Sequence, residues 1–236
     1  MSTTSIITRR EFRSNFDTPV GYVVLSLALI FVGFLTFQNF WTVNRASIAQ
    51  LFFWLGWALA FTIPAVTMRL FAEEKRTGTI ELLITMPVRD REVVLAKFLA
   101  TLGLVAVMLI LTLTYPITIG KLGSLDWGPV GVGYLGLLLE ATAMIAVGLF
   151  FSSITENQVI ALFSTLVTLV LLNLLDFLGN ATGGWLGDLI ASVSFQHRLT
   201  PFTRGLLDLR NVVFFVSVAW FFLLLTMRSL ESRKWK

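Results

Sequence analysis

Residues 71–98 read FAEEKRTGTIELLITMPVRDREVVLAKF and hold ten of the chain's 32 charged residues, five acids and five bases. The runs on either side, 51–71 and 93–119, are apolar almost throughout. Each is long enough for a helix to cross a hydrocarbon core about 30 Å thick. The charged stretch therefore reads as a connection between two membrane spans.

Working outward, six such runs can be drawn, at roughly 20–40, 51–71, 93–119, 130–151, 159–178 and 209–228. Composition agrees: 56% of the 236 residues are hydrophobic and 14% are charged, against about a quarter charged in soluble domains. Continuously apolar runs fit helices, whereas barrel strands alternate in segments of about ten residues. The expectation is an all-α polytopic membrane protein with six transmembrane helices. No linker, charge block or internal repeat divides it, so 1–236 reads as a single domain.

Lys and Arg set the orientation. With both termini cytoplasmic, the inner side receives 13 of them and the outer side five, namely Arg45, Lys121, Arg198, Arg204 and Arg210. Cytoplasmic loops carry the excess of bases, so the termini and 71–98 are expected in the cytoplasm. The net charge of +4 is distributed around the spans rather than along a stripe, so no nucleic-acid partner is implied. Thr8-Arg9-Arg10-Glu11-Phe12 resembles a twin-arginine signal. The run behind it is longer than a signal core and five more follow, which fits an anchored helix better than a cleaved peptide.

The charged stretch has internal order. Glu73, Glu74, Lys75 and Arg76 suit a helix continuing past the second span, with Glu73 and Arg76 three apart. Gly78 is a break. Residues 79–86 form a short amphipathic segment ended by Pro87, and Asp90 and Glu92 open the next helix, where acids suit its dipole. Such a helix–break–helix is fit to dock in a groove on a partner; a solvated loop that only enforces topology explains the charges equally well. At the start of the chain, Ile6, Ile7, Phe12 and Phe16 gather toward one helix side with Arg9, Arg10 and Arg13 beside them. This is the pattern of a helix over 1–19 lying in the membrane interface, or else of a basic tail.

Catalytic chemistry is absent from the pattern. The single Gly-Lys pair, Gly120-Lys121, has Tyr115 where a P-loop needs its first glycine and Leu122 where it needs Ser or Thr. One histidine and no cysteine leave no metal or thiol site to expect.

Three polar residues within spans are singled out as candidates. Glu140, near the middle of the fourth, must face protein or water, and Gly133, Gly136 and Ala143 share its helix face, so another helix can approach closely. It reads either as a substrate or proton-sensitive site in the pathway or as a buried hydrogen-bonded brace between spans. Asn173 and Asp176, toward the outer end of the fifth span, line an outer gate or sit in the hydrated interface. Residues 179–210 are too interrupted to span and too apolar for a free loop, so short re-entrant or interfacial helices are expected there.

The pattern Glu73-Glu74-Lys75-Arg76-x-Gly78-Thr79-x-Glu81-x-Leu83, then Pro87 and 93–97, resembles the first cytoplasmic loop of ABC-2 type permeases, the membrane subunits of ATP-binding cassette exporters. TRREFRSNFDTPVGYVVL, residues 8–25, is similar to the start of that family, and the nearest branch is the gliding-motility and nitrous-oxide-reductase-maturation type. The resemblance implies a type V ABC exporter-like fold. It places an interfacial helix at 1–19, a cytoplasmic coupling helix within the 73–91 loop, and re-entrant or interfacial helices before the last span. It implies that Glu11, Glu73, Glu74, Lys75, Arg76, Gly78, Thr79, Glu81 and Pro87 contact a separate cytoplasmic ABC ATPase, which binds ATP and Mg. The loop 152–158 would add a smaller contact. It also implies a dimer with a second copy or a homologous permease, in a bacterial or archaeal cytoplasmic membrane, exporting an unidentified substrate. Two alternatives remain: an ATP-driven mechanical or scaffold role acting on an envelope protein, and an ATP-independent secondary transporter.

Overall fold

The computed structural model describes residues 3–17, 19–43, 48–78, 89–123 and 125–232. Among them are eleven helices and no strand. These are α1 (Thr3–Asp17), α2 (Pro19–Val43), α3 (Ile48–Thr67), α4 (Arg69–Arg76), α5 (Asp90–Thr112) and α6 (Thr114–Leu122), followed by α7 (Trp127–Ile154), α8 (Gln158–Thr182), α9 (Gly184–Val193), α10 (Phe195–Thr203) and α11 (Leu209–Glu231). Six helical segments are long and apolar enough to cross a membrane: α2, α3 with α4, α5 with α6, α7, α8 and α11. The chain is a multi-pass membrane protein, all-helical among the described residues.

The helix starts are written locally. Asp126 Oδ1 accepts from Gly128 N at 3.0 Å, Asn157 Oδ1 from Val159 N at 2.9 Å and Asp208 Oδ1 from Arg210 N at 2.9 Å. Each satisfies an amide that the first turn leaves unpaired. At α5 the Glu92 carboxylate reaches back to accept from Arg89 N at 3.3 Å.

Two spans are interrupted, one of them where proline denies the backbone a donor. Pro116 cannot donate to the Thr112 carbonyl, and the run read as one span at 93–119 divides at Leu113 into α5 and α6. Pro64 lies inside α3, which ends one turn later before α4 begins.

The core sits around α7, which α11, α3, α10, α5, α8 and α4 all contact. Small residues permit this density. Gly133 faces the Phe52 ring, Gly148 faces the Thr67 side chain, and a Cβ at Gly136 would stand 2.7 Å from Phe202 Cβ. The stretch 179–210 forms α9 and α10. Helix α9 folds back along α8, and α10 reaches the middle of α7, burying Phe195, Leu199 and Phe202. Helix α1 lies against α5, with Phe12 over the bare face of Gly103 and its ring 5.1 Å from that of Phe16. Its apolar face therefore packs on protein, and Ile6 points away and is exposed, so the four apolar side chains expected on one side are divided.

Candidate functional site

Three helices bring charge together at the end of the bundle that carries α1. Lys97, in the second turn of α5, is 3% exposed, and its ammonium lies 2.6 Å from Glu74 Oε1 on α4 and 3.4 Å from Glu11 Oε2 on α1. It stands 5.4 Å from the centre of the Phe71 ring. A lysine this far into an apolar segment buries its stem and needs a partner for its head; here two carboxylates from separate helices meet it. Arg10 adds a contact to Glu11 at 3.0 Å. Burial by itself would raise the Glu11 carboxyl, but Lys97 and Arg10 outweigh it and hold the group below the usual carboxylate range.

Around this cluster runs a cleft of about 450 Å³ bordered by Arg10, Ser14, Arg69, Glu73, Thr77 and Leu104. Glu73 pairs with Arg69 one turn earlier, at 3.2 Å, rather than with Arg76 three positions on. Pairing at i,i+4 closes over the helix surface, and Arg76 extends outward and is exposed.

Helix α4 is fastened on its other side to the start of the 152–158 connection. Ser152 Oγ accepts from Phe71 N at 3.0 Å and Ala72 N at 3.2 Å and donates to Met68 O at 3.1 Å. One hydroxyl thus serves the backbone where α3 gives way to α4. The Lys75 ammonium donates to the Ser153 carbonyl, which also accepts from Ser229 Oγ of α11 at 3.4 Å. Gly78 ends the described part of the loop at φ +71°, a left-handed conformation that glycine adopts without strain. Thr79, Glu81 and Pro87 lie outside the described residues.

The structure therefore joins Glu11 and Glu74 on Lys97, sets Glu73 at the border of the same cleft, and turns Lys75 to the other side of α4. A displacement of the chain between Gly78 and Arg89 would act on α4 at one side and on α5 at the other. Through Lys97 it would reach α1, and through Ser152 and Ser153 it would reach α7 and α11. Lys97 and Ser152 are joints whose partners residue patterns do not assign, although 93–97 and 152–158 are both singled out in the sequence. Their signals were a lone cation one turn inside an apolar run and a serine pair ending another.

Glu140, Asn173 and Asp176 do not form one site. Glu140 is wholly buried in α7, facing α3 and α10. Asn173 is buried on α8, where its amide donates to Leu169 O at 2.9 Å and its backbone carbonyl accepts from Ser194 Oγ at 3.4 Å. Asp176 lies 3.1 Å from His197 Nδ1, joining α8 to α10. The last two position the α9–α10 pair. Among the described residues no group of three His, Asp or Glu is placed to hold a metal.

The family model described as ABC-2 family transporter protein matches residues 26–227. No curated protein matches the chain.

Proposed function

This chain belongs to the ABC-2 transporter family and is a membrane permease component, and we propose that a separate cytoplasmic ATPase drives it by docking where α1, α4 and the start of α5 meet. The observation that carries this reading is the Glu11–Lys97–Glu74 cluster. It ties the two ends of the charged loop to the amino-terminal helix, so that one contact could move three helices. On this reading the α1 end of the bundle and both termini are cytoplasmic, in agreement with the 13 to five division of Lys and Arg. The membrane is the bacterial or archaeal cytoplasmic membrane. ATP and Mg are bound by the partner, since this chain has no P-loop.

Two permease halves assemble, and closure of the paired ATPases is passed through Gly78–Arg89 into α4 and α5. The α9–α10 pair then lies re-entrant at the opposite end, above the route by which substrate leaves. The test is co-expression with the ABC ATPase subunit encoded beside this chain, followed by reconstitution in liposomes. The reading expects the two to purify together and ATP turnover to depend on the permease. An ATPase that neither binds the chain nor changes its turnover would sink it.

A further inference from the structure

Two side-chain oxygens from different helices border one bare helix face inside the bundle. A Cβ built on Gly56 of α3 would stand 3.2 Å from Gln196 Oε1 and 3.4 Å from Glu140 Oε2, so both oxygens border the same bare helix face. Both Glu140 oxygens and Gln196 Oε1 are buried with no hydrogen-bond partner among the described residues. Leu199 closes the same space on its apolar side.

No cation is available to these oxygens from the helices packed on α7. Helix α3 carries no charged residue or histidine, and α8 carries only Asp176. On α10, His197 is turned to Asp176. Arg198 donates to Ser192 O at 2.7 Å and to Asn211 Oδ1 at 3.1 Å, with its guanidinium 4.9 Å from the Phe214 ring. The charges of α5 lie within its first two turns, at Asp90, Arg91, Glu92 and Lys97; those of α11 lie at its ends, at Arg210, Arg228 and Glu231. Those of α4 belong to the cluster around Lys97 and Ser153, except Arg76, which extends outward and is exposed. An ionised carboxylate here would face a second acceptor with no counter-charge, the most costly way to bury either group.

We propose that this is a proton-binding site: a proton taken from water onto Glu140 turns one acceptor into a donor, and the resulting O–H donates to Gln196 Oε1. The neutral pair joins α7 to α10 across Gly56, and the presence of the proton holds α10 in the bundle. Loss of the proton to water restores two facing acceptors, which separate unless water enters between them. The inference concerns the interior of the bundle and stands independently of where an ATPase docks.

The experiment is infrared difference spectroscopy of the full chain in lipid bilayers at neutral pH, comparing the natural protein with Glu140→Gln and Gln196→Leu. A protonated carboxylic C=O band is expected in the natural protein, absent from Glu140→Gln and moved to higher frequency in Gln196→Leu as its hydrogen bond is lost. Glutamine at 140 retains a donor for Gln196, so that variant keeps its fold. Hydrogen exchange supplies the second measure: the amides of α10 stay protected in Glu140→Gln and exchange faster in Glu140→Ala. Absence of the band, as for an ionised Glu140 accepting from the Gln196 amide or from a buried water, overturns the proposal. So does a band that Gln196→Leu leaves in place, or α10 exchange that is the same in Glu140→Gln and Glu140→Ala.

Discussion

Lys97 of α5 and Glu74 of α4 lie 2.6 Å apart, with the side chain of Lys97 almost wholly withdrawn from solvent. The two residues flank the charged loop, so this ion pair closes the base of the segment on which coupling to an ATPase would rest.

Replacing Lys97 with methionine leaves Glu74 and Glu11 facing one another without their shared cation. Removing one partner of a buried pair costs roughly 3–5 kcal/mol, and the lower end applies because both acids retain some contact with water. The unfolding midpoint of the purified protein should fall and α1 should become sensitive to protease. Lys97→Arg should restore much of both.

Acid should release α1 in a defined direction. The folded-state carboxyl of Glu11 is held below its usual range, because Lys97 and Arg10 together outweigh its burial. Its contribution to docking is present above the ordinary carboxylate range and is lost as pH falls through the lowered value. Protease protection of α1 measured against pH should persist through the ordinary range and disappear only below it. In Glu11→Gln the acid-dependent step should be reduced.

Glu73 gives a cleaner test of partner docking than Glu74. Its pair with Arg69 is partly exposed, so Glu73→Lys should change stability by no more than about 1 kcal/mol while reducing co-purification of the ATPase. Glu74→Lys would place a second ammonium beside Lys97 and so disturb the fold as well. Unchanged ATPase recovery with Glu73→Lys would count against docking at this face.

Ser152→Ala removes the acceptor used by Phe71 N and Ala72 N and the donor to Met68 O. Leaving buried backbone groups unpaired costs about 1–3 kcal/mol. Thermal unfolding should register that loss, and hydrogen exchange should be faster at 71–72 than in the middle of α7.

The central helix offers a matched pair of substitutions. Gly136→Ala drives a Cβ into Phe202, whereas Gly131→Ala meets nothing within 4 Å. The first should destabilise by about 1–3 kcal/mol through overpacking. The second should be neutral or stabilise by up to about 1 kcal/mol, because alanine loses less backbone freedom than glycine in a helix. Unfolding midpoints in the same detergent compare them directly.

Much of the architecture was legible because a membrane span and its ends are local properties. Six apolar runs set by bilayer thickness, the acids Asp90 and Glu92 at a helix start, and Gly78 where a helix stops each act within a few residues. Glu73 went to Arg69 instead of Arg76, and Ile6 left its apolar neighbours. Both outcomes depend on which helix face a second element covers, and periodicity alone does not carry that information.

By itself, then, the sequence determined an all-helical membrane protein with a charged connection after its second span, since length, hydropathy and helix signals are properties of contiguous residues. Only the tertiary structure decided that Lys97 is the joint between Glu11 and Glu74, that Ser152 serves the backbone of α4, and that Glu140 and Gln196 border the same face of Gly56. These partners stand 86, 23, about 80 and 56 positions apart, and what brings them into reach is the packing of α1, α4 and α10 against neighbouring helices.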